Sequence, residues 1–551
     1  MTIYQVFTRL FGNDNPECIP NGTKAENGCG TMADFTDKAL QQVRSLGATH
    51  IWYTGIIEHA TQTDHTPWGI QKDHPEVVKG RAGSPYAIKD YYDVDPDLAT
   101  DVTKRMKEFD SLVRRTHQAG LGVIIDFVPN HVAREYHSDA SPKGTENLGE
   151  KDDTSLSFSP QNNFYYLPAD QLHLDNITTS QTDYREQPAK VTGNDCFSAW
   201  PGRNDWYETV KLNYGIDYQG GRQCHFTPRP STWDKMLAIL LFWAAKGVDA
   251  FRCDMAEMVP VEFWHWAIAE VKNLYPHITF IAEVYNPALY RDYVHRGGFD
   301  YLYDKVGLYD TLRAVTRHEA SAQALTACWQ SIDDIRPHML RFLENHDEQR
   351  LASDFFAADA RRGRAPMLVA ALMDPSPVMI YFGQELGEKG MDQEGFSGLD
   401  GRTTIFDYWS VDTIRRWRDN GAFTGKQLTG DEIRLRDFYA RVLSLRETMP
   451  VLRTGMFYDL MYANPHLTQQ YVFMRSLQKE AILVIANFSE QTQEISVNLP
   501  SEMFSFLQLD SQTNLRVQDL LNDETTQIDF TPDTPLHTLV RGYCGVVLLL
   551  R

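Results

Sequence analysis

The sequence predicts an α/β protein: a closed (β/α)8 (TIM) barrel, with a domain inserted after the third strand and an antiparallel β-sandwich at the carboxyl end. Three observations lead to this fold class. Near-continuous apolar runs alternate with amphipathic helical stretches at the rhythm of βα units. Four of these runs end in polar residues, as buried parallel strands do when their carboxyl ends carry a site. A long stretch rich in turn residues interrupts the alternation, and short strand-like runs close the chain.

Eight strands and four amphipathic helices are predicted in the alternating part of the chain. The helices lie at about residues 34–46, 103–120, 233–246 and 261–274. Strands that alternate with helices in this way form parallel βα units, and eight of them imply closure. The predicted strands are residues 3–10, 51–53, 122–128, 248–253, 278–284, 301–303, 339–344 and 378–381.

The alternation breaks at two places, which define the predicted domains. Residues 132–230 are rich in Asp, Asn, Ser, Gly and Pro, and an insertion of this length in a barrel is usually functional. From about residue 449, β-rich runs alternate with polar turns and show no helical stripe between them. We therefore predict a catalytic barrel from residues 1–131 and 231–448, a loop-rich inserted domain over 132–230 and a β-sandwich over 449–551.

Composition and charge argue against several partners. The 53 basic and 74 acidic residues give a net charge of −21, which disfavours nucleic acid and anionic membranes but is compatible with a neutral sugar. No apolar run approaches the roughly 20 residues of a membrane span, and residues 1–11 have the character of a strand rather than of a leader. We expect a cytoplasmic protein, or a periplasmic or secreted one if a leader was removed. Seven scattered cysteines predict no disulfide framework, and the oligomeric state stays open.

An arginine and an aspartate lie two residues apart in G-V-D-A-F-R-C-D, residues 247–254. Arg252 and Asp254 share one side of the predicted fourth strand. Alone, such a pair is usually a structural ion pair, although chemistry also needs permanently ionised acids. Three other apolar runs that end in polar residues favour a catalytic role for this pair. They read L-G-V-I-I-D-F-V-P-N-H at 121–131, I-T-F-I-A-E at 278–283 and M-L-R-F-L-E-N-H-D at 339–347.

These four stretches resemble, in order, the four signature regions of the α-amylase family of glycoside hydrolases (family 13 type). Those regions are D-x-x-x-N-H, G-x-R-x-D, a strand that ends in Glu, and x-x-N-H-D. The resemblance implies an enzyme that cleaves α-1,4-glucosidic bonds in maltooligosaccharides or starch-like α-glucans. It also implies retention of anomeric configuration through a covalent intermediate, for which two carboxylates suffice.

The matched motifs imply a role for each acidic residue. Asp254 corresponds to the nucleophile and Glu283 to the general acid that later acts as base. Asp347 is similar to the third carboxylate, which grips hydroxyls of the distorted sugar and helps to keep Glu283 protonated. Arg252 would hold Asp254 ionised and oriented.

Further residues are implied to contact the same sugar ring. His131 and His346 resemble hydrogen-bond donors to it, and Tyr86, in S-P-Y-A-I-K-D-Y-Y-D, resembles a tyrosine that stacks on it. Asp126 would brace the site, although a purely structural role fits equally well. Each histidine could also be only a hydrogen-bonded structural residue.

No metal or other cofactor is expected to be obligatory. T-V-K-L-N at 209–213 resembles the family's fifth signature in the version with lysine where calcium-dependent amylases have aspartate. This change removes a hard anionic ligand, so Asn130, at another calcium-ligand position, is expected to be structural. A structural calcium is compatible with this expectation.

The chain also departs from classical α-amylases, in which a Lys-His pair stands where Glu257 and Met258 lie here. This feature and T-V-K-L-N are closer to neopullulanases and cyclomaltodextrinases, but their amino-terminal domain is not expected, because the first strand begins at Ile3. The subfamily therefore stays open. Two other hypotheses are an α-glucan transglycosylase or trehalose- or maltose-converting enzyme of this fold, and a non-catalytic carbohydrate-binding homologue. Non-catalytic homologues of this kind usually lack a catalytic carboxylate and carry a membrane span.

Overall fold

The computed structural model describes residues 1–175, 177, 183–532 and 534–551. Within them, eight parallel strands form a closed barrel in which each strand pairs with the next, and the last pairs with the first. The predicted (β/α)8 barrel is therefore confirmed. The strands are Thr2–Phe7, His50–Thr54, Gly122–Phe127, Ala250–Cys253, Thr279–Ala282, Tyr301–Tyr303, Met339–Phe342 and Val378–Tyr381.

Helices alternate with these strands. Ser231–Ala245 leads into the fourth strand, and the turn between them uses Gly247 with φ of 88°, a conformation that glycine adopts without steric cost. Several helices carry a side-chain cap; at Asp37–Ser45, the Thr36 side chain accepts the backbone N–H of Ala39. The other α-helices of six residues or more before residue 449 are Arg105–Gln118, Val261–Leu274, Tyr290–His295, Asp310–Thr316, Ala324–Gln330, Arg364–Leu372, Asp412–Arg418 and Gly430–Thr448.

Strand register brings the polar tips to one end of the barrel. Arg252 pairs in register with Asp126 on the third strand and with Ile281 on the fifth. Asp254 and Glu283 directly follow the fourth and fifth strands, and their backbone N–H groups still donate to the neighbouring strand. Because all eight strands are parallel, both acids lie at the carboxyl end of the barrel.

Five predicted strands are too long; the third ends at Phe127 rather than at 128, and the fourth begins at Ala250 rather than at 248. The first ends at Phe7, because Thr8–Phe11 forms a helical turn. The fifth is Thr279–Ala282 rather than 278–284, and the seventh ends at Phe342 rather than at 344. The apolar pattern misplaced these ends because buried residues continue beyond the sheet; Leu10, for example, is fully buried.

An antiparallel strand pair is among the contacts that join the inserted segment to the barrel. Thr209–Lys211 pairs antiparallel with His131–Ala133, which follows the third barrel strand. The described part of 132–230 otherwise contains two-residue strands and long loops around a small apolar cluster. That cluster includes Tyr165, Leu167, Leu172, Leu174, Ala189 and Val191.

The carboxyl end forms antiparallel sheets, as predicted. Gln493–Val497 and Leu536–Val540 form a two-stranded sheet. One expectation was wrong: helix Ser501–Leu507 lies in a region where no helical stripe was seen. Seven residues are fewer than two turns, too few for a helical period to be recognised. The main sheet has six strands in the order Met456–Asp459, Gln470–Leu477, Glu480–Asn487, Cys544–Leu550, Gln512–Asp519 and Glu524–Phe530.

Within the described ranges, no helix is both long enough and apolar enough to cross a bilayer.

Candidate active site

A cavity of about 280 Å³ lies at the carboxyl end of the barrel. Arg252 and His346 lie beneath its wall and contact lining residues, and both are almost fully inaccessible to solvent. The structure therefore brings all seven predicted site residues together. The five that line the cavity are Tyr86, His131, Asp254, Glu283 and Asp347.

Arg252 joins the two principal carboxylates. Its Nη1 donates to Asp254 Oδ1 over 2.7 Å, and its Nη2 lies 2.9 Å from Glu283 Oε2. Its Nε donates to the Tyr303 hydroxyl over 3.1 Å. The Arg252 side chain is 0% exposed, so its charge is balanced by these acids rather than by water. One guanidinium thus holds Asp254 and Glu283 side by side.

The protonation of Asp254 depends on opposing effects. Burial raises the pKa of Asp254 well above its usual value, the Arg252 guanidinium acts against this rise, and the charge of Glu283 adds to it. The site therefore holds a proton on Asp254 more firmly than water would, and the Arg252 guanidinium is the group that favours the ionised form of Asp254.

Both oxygens of Glu283 have a hydrogen-bond donor. The Met255 backbone N–H donates to Oε2 over 2.7 Å, and the Tyr285 hydroxyl donates to Oε1 over 2.6 Å. Met255 has a φ of 43°. This left-handed conformation costs roughly 1–2 kcal/mol for a residue with a side chain. The surrounding structure maintains it, and it aims the N–H at the carboxylate.

Asp347 and His346 form a second polar pair beside the first. Asp347 Oδ2 lies 3.0 Å from His346 Nε2, and the Gln5 amide nitrogen lies 2.8 Å from His346 Nδ1. Burial alone would raise the pKa of Asp347, but the adjacent His346 ring and the Arg252 and Arg402 charges lower it to about 2. Asp347 is therefore ionised at neutral pH and can accept hydrogen bonds from a ligand.

Tyr86 forms part of the cavity wall and is less exposed than a loop tyrosine usually is. It is 8% exposed, and its ring stacks on that of His346 with the centroids 5.2 Å apart. Its hydroxyl lies 2.5 Å from His346 Nε2 and 3.4 Å from Asp126 Oδ1. Asp126 in turn accepts the Trp52 indole N–H over 2.9 Å. These contacts hold the Tyr86 ring in a fixed orientation.

His131 lies on the other side of Asp254, beside the inserted segment. Its Nε2 is 3.9 Å from Asp254 Oδ2, and its ring lies against Trp206 at a centroid distance of 5.1 Å. Burial, together with the charges of Lys211 and Lys79, lowers the pKa of His131 to about 3. The imidazole is therefore neutral at ordinary pH and can donate one hydrogen bond.

The lysine of T-V-K-L-N points into the interface between the barrel and the inserted segment. Lys211 Nζ donates to Asn130 Oδ1 over 2.8 Å and lies 2.6 Å from Asp195 Oδ1. The Lys211 side chain is buried, and its ammonium contacts oxygens of the kind that ligate a hard cation.

Two other groups in the described ranges have ligand atoms within 4.8 Å of one another. One is exposed in part and consists of His74, Glu76 and Asp183; the other is buried and consists of Glu58, Asp90 and Asp93. In the buried group, the Asp90 oxygens already accept four hydrogen bonds, and Asp93 pairs with Arg105. Asp90 and Asp93 are therefore engaged by protein donors, whereas burial and the charges of these two acids raise the pKa of Glu58 well above its usual value.

Several cavity residues were not identified from the sequence. Lys79 Nζ lies 3.0 Å from Glu208 Oε1, and this ion pair lines the cavity with Trp206, Phe406 and Tyr285. Lys79 and Phe406 belong to loops far apart in the chain, so no local pattern joins them. The sequence did contain a signal for Tyr285. It lies two residues after Glu283, and residues two apart at a strand end can face the same side.

A protein family and several known proteins are similar to this chain. The sequence model of the family described as "Alpha amylase, catalytic domain" matches residues 5–429. Maltase A1 of Drosophila melanogaster is 26% identical over 252 residues, which are 46% of this chain and 33% of that protein. The match thus spans about a third of the length of that maltase. Alpha-amylase 3 of Dictyoglomus thermophilum is 21% identical over 522 residues, 90% of this chain and 86% of that protein.

A solved structure shows the same fold. The noncanonic maltogenic α-amylase AmyB from Thermotoga neapolitana has a TM-score of 0.63 at 19% identity. The similarity covers 100% of this chain and 98% of that one. The predicted fold class is therefore supported over the full length.

Proposed function

Because the chain belongs to the α-amylase family, we propose that it is a retaining glycoside hydrolase that cleaves α-1,4-glucosidic bonds in maltooligosaccharides or starch-like α-glucans. The observation that carries this proposal is the bridge from Arg252 to both Asp254 and Glu283 in a cavity at the carboxyl end of the barrel. Two carboxylates side by side meet the chemical demand of glycoside cleavage. The names of the maltase and α-amylase relatives support the substrate class.

In the proposed first step, Asp254 bonds to the anomeric carbon while Glu283 gives its proton to the leaving glycosidic oxygen. Arg252 keeps Asp254 oriented and balances the charge of the pair. In the second step, water gives a proton to Glu283, its oxygen bonds to the anomeric carbon, and the bond from that carbon to Asp254 breaks. Retention follows from two displacements at the same carbon.

The remaining residues are proposed to bind the reacting sugar ring. Asp347, ionised beside His346, accepts hydrogen bonds from its hydroxyls, and neutral His131 donates one. The Tyr86 ring, held by His346, offers a face against which a pyranose can stack. His346, which lies beneath the cavity wall, orients Tyr86 and Asp347 through the nitrogen that faces both of them.

We also propose that activity needs no added calcium. Lys211 contacts Asn130 and Asp195, and its positive charge neutralises the site where a cation would otherwise be needed. Activity should therefore survive treatment with EGTA. Activity that collapsed in EGTA and returned with Ca²⁺ would contradict this proposal.

Incubation with maltoheptaose, followed by chromatography of the products, tests the function. Shorter maltodextrins alone support hydrolysis, whereas longer ones indicate the alternative, transglycosylation. Proton NMR of the first product should show the α-anomer; initial release of the β-anomer would refute retention. The Asp254→Asn variant should bind sugar but lose turnover, and surviving activity would mean that another residue is the nucleophile.

A further inference from the structure

Tyr285 contacts the carboxylate to which we assign proton transfer. Its hydroxyl donates to Glu283 Oε1 over 2.6 Å, and the residue lines the cavity. Burial, together with the charges of Glu283 and Asp347, raises the pKa of Tyr285 well above its usual value. The hydroxyl therefore keeps its proton at neutral and alkaline pH and acts as a hydrogen-bond donor throughout.

The second oxygen of Glu283 is occupied by other groups. Glu283 Oε2 accepts the Met255 backbone N–H over 2.7 Å and lies 2.9 Å from Arg252 Nη2. A carboxyl oxygen that accepts this hydrogen bond and lies beside the guanidinium charge is a poor position for a transferable proton, because the adjacent positive charge disfavours a proton there. Oε1, the oxygen that Tyr285 contacts, is the one left to carry it.

A second acid fixes the position of Tyr285. Glu257 Oε2 accepts the backbone N–H of Tyr285 over 3.1 Å and that of Asn286 over 2.9 Å. Glu257 follows the fourth strand, whereas Tyr285 follows the fifth, so this carboxylate ties two loops together. Glu257 is also the residue that stands where classical α-amylases have part of a Lys-His pair. At this position, Glu257 therefore has a structural role, which is to hold the loop that carries Tyr285.

We propose that Tyr285 is a positioning residue that directs Glu283 Oε1 toward the leaving oxygen, and that Glu257 holds Tyr285 in place. The inference rests on the proposed function. In the first step, the proton moves from Glu283 Oε1 to the glycosidic oxygen as that C–O bond breaks and Asp254 bonds to the anomeric carbon. In the second step, water returns a proton to Oε1 as its oxygen bonds to the anomeric carbon and the bond from that carbon to Asp254 breaks. Tyr285 keeps its own proton in both steps.

The hydrogen bond from Tyr285 therefore strengthens when Glu283 becomes charged. A hydrogen bond to a charged acceptor contributes more than one to a neutral acceptor, and the difference is worth about tenfold in rate, or about 1.4 kcal/mol. The effect applies only to substrates whose leaving group needs a proton. This dependence distinguishes the proposed role from general support of the fold.

The test compares Tyr285→Phe with wild type on two substrates. Maltotriose has a leaving group that needs protonation, whereas α-maltosyl fluoride does not. We expect kcat/KM to fall about tenfold for maltotriose and less than about twofold for the fluoride. Because the hydroxyl stabilises the charged form of the acid, the alkaline limb of the pH profile for maltotriose should also move to higher pH in the variant.

Tyr290→Phe is a matched control, because within the described structure the Tyr290 hydroxyl is buried without a hydrogen-bond partner. It should leave both substrates and the pH profile unchanged. Glu257→Ala should reproduce the leaving-group dependence of Tyr285→Phe in weaker form, and Glu257→Gln, which keeps an acceptor oxygen, should restore most of the activity.

The results distinguish failure of the proposed function from failure of the proposed role of Tyr285. A wild-type protein that hydrolyses neither substrate refutes the proposed function itself. If wild type is active and Tyr285→Phe loses equal activity on both substrates, or none, the positioning role is refuted while the function stands. A folded Tyr285→Phe protein with an unmoved alkaline limb also overturns the inference.

Discussion

Replacing Arg252 by methionine should damage the stability of the barrel in a manner that depends on pH. Arg252 is fully buried, and its guanidinium contacts Asp254 over 2.7 Å and Glu283 over 2.9 Å. Methionine fills a similar volume but leaves both carboxylates without a counter-charge. These acids must then either stay ionised in a poorly solvated site or take up a proton.

The size of the effect follows from the burial of the group. Removal of one partner from a buried ion pair costs about 3–5 kcal/mol. With an unfolding entropy of about 2.1 cal/mol/K per residue, this cost lowers the unfolding temperature by roughly 3–4 °C if all 551 residues unfold together.

The pH dependence has a definite sign. Since the pKa of Asp254 in the fold is above its usual value, the folded state holds more protons than the unfolded chain, and this contribution to stability falls as pH rises. Arg252 opposes the rise in that pKa, so its loss should cost more near about pH 7 than near about pH 5.

The assay is differential scanning calorimetry at the two pH values. It compares the wild type with Arg252→Met and Arg252→Lys. Arg252→Lys keeps a charge but cannot reach both acids at once, so it should lie between the other two proteins. Equal unfolding temperatures for Arg252→Met and wild type at neutral pH, or the same deficit at both pH values, would refute the reasoning.

Three further outcomes follow from the site. Lys211→Asp puts a carboxylate beside Asn130 and Asp195, so Ca²⁺ should raise the unfolding temperature of the variant but not of wild type; an equal rise in both would count against the ammonium's role. His131→Asn should lower kcat/KM without moving the acid limb, because the pKa of His131 is about 3; a moved limb shows that the imidazole titrates. Asp347→Asn should lower kcat at least about a hundredfold, because an ionised acceptor becomes neutral; steady-state kinetics with kcat near wild type would exclude that role.

Much of the fold could be predicted because its signals are local. Apolar runs and helical stripes identified the barrel strands, and Arg252 and Asp254 had to share a side of one strand. The ends of strands were less predictable. At Leu10 the side chain is buried although the strand ends at Phe7, and hydrophobicity reports burial rather than sheet pairing. The short helix Ser501–Leu507 was missed because it has too few turns to show a period.

The sequence by itself determined which acids stand at strand ends, and four motifs in order were enough to suggest the chemistry. Only the tertiary structure decided how these acids are paired. Glu283 receives Arg252 from the fourth strand on one oxygen and Tyr285 from its own loop on the other. The Lys79 and Glu208 pair in the cavity wall likewise joins distant loops. Such contacts depend on barrel closure, which places strand ends within hydrogen-bonding distance, whereas sequence patterns record only what neighbours along the chain share.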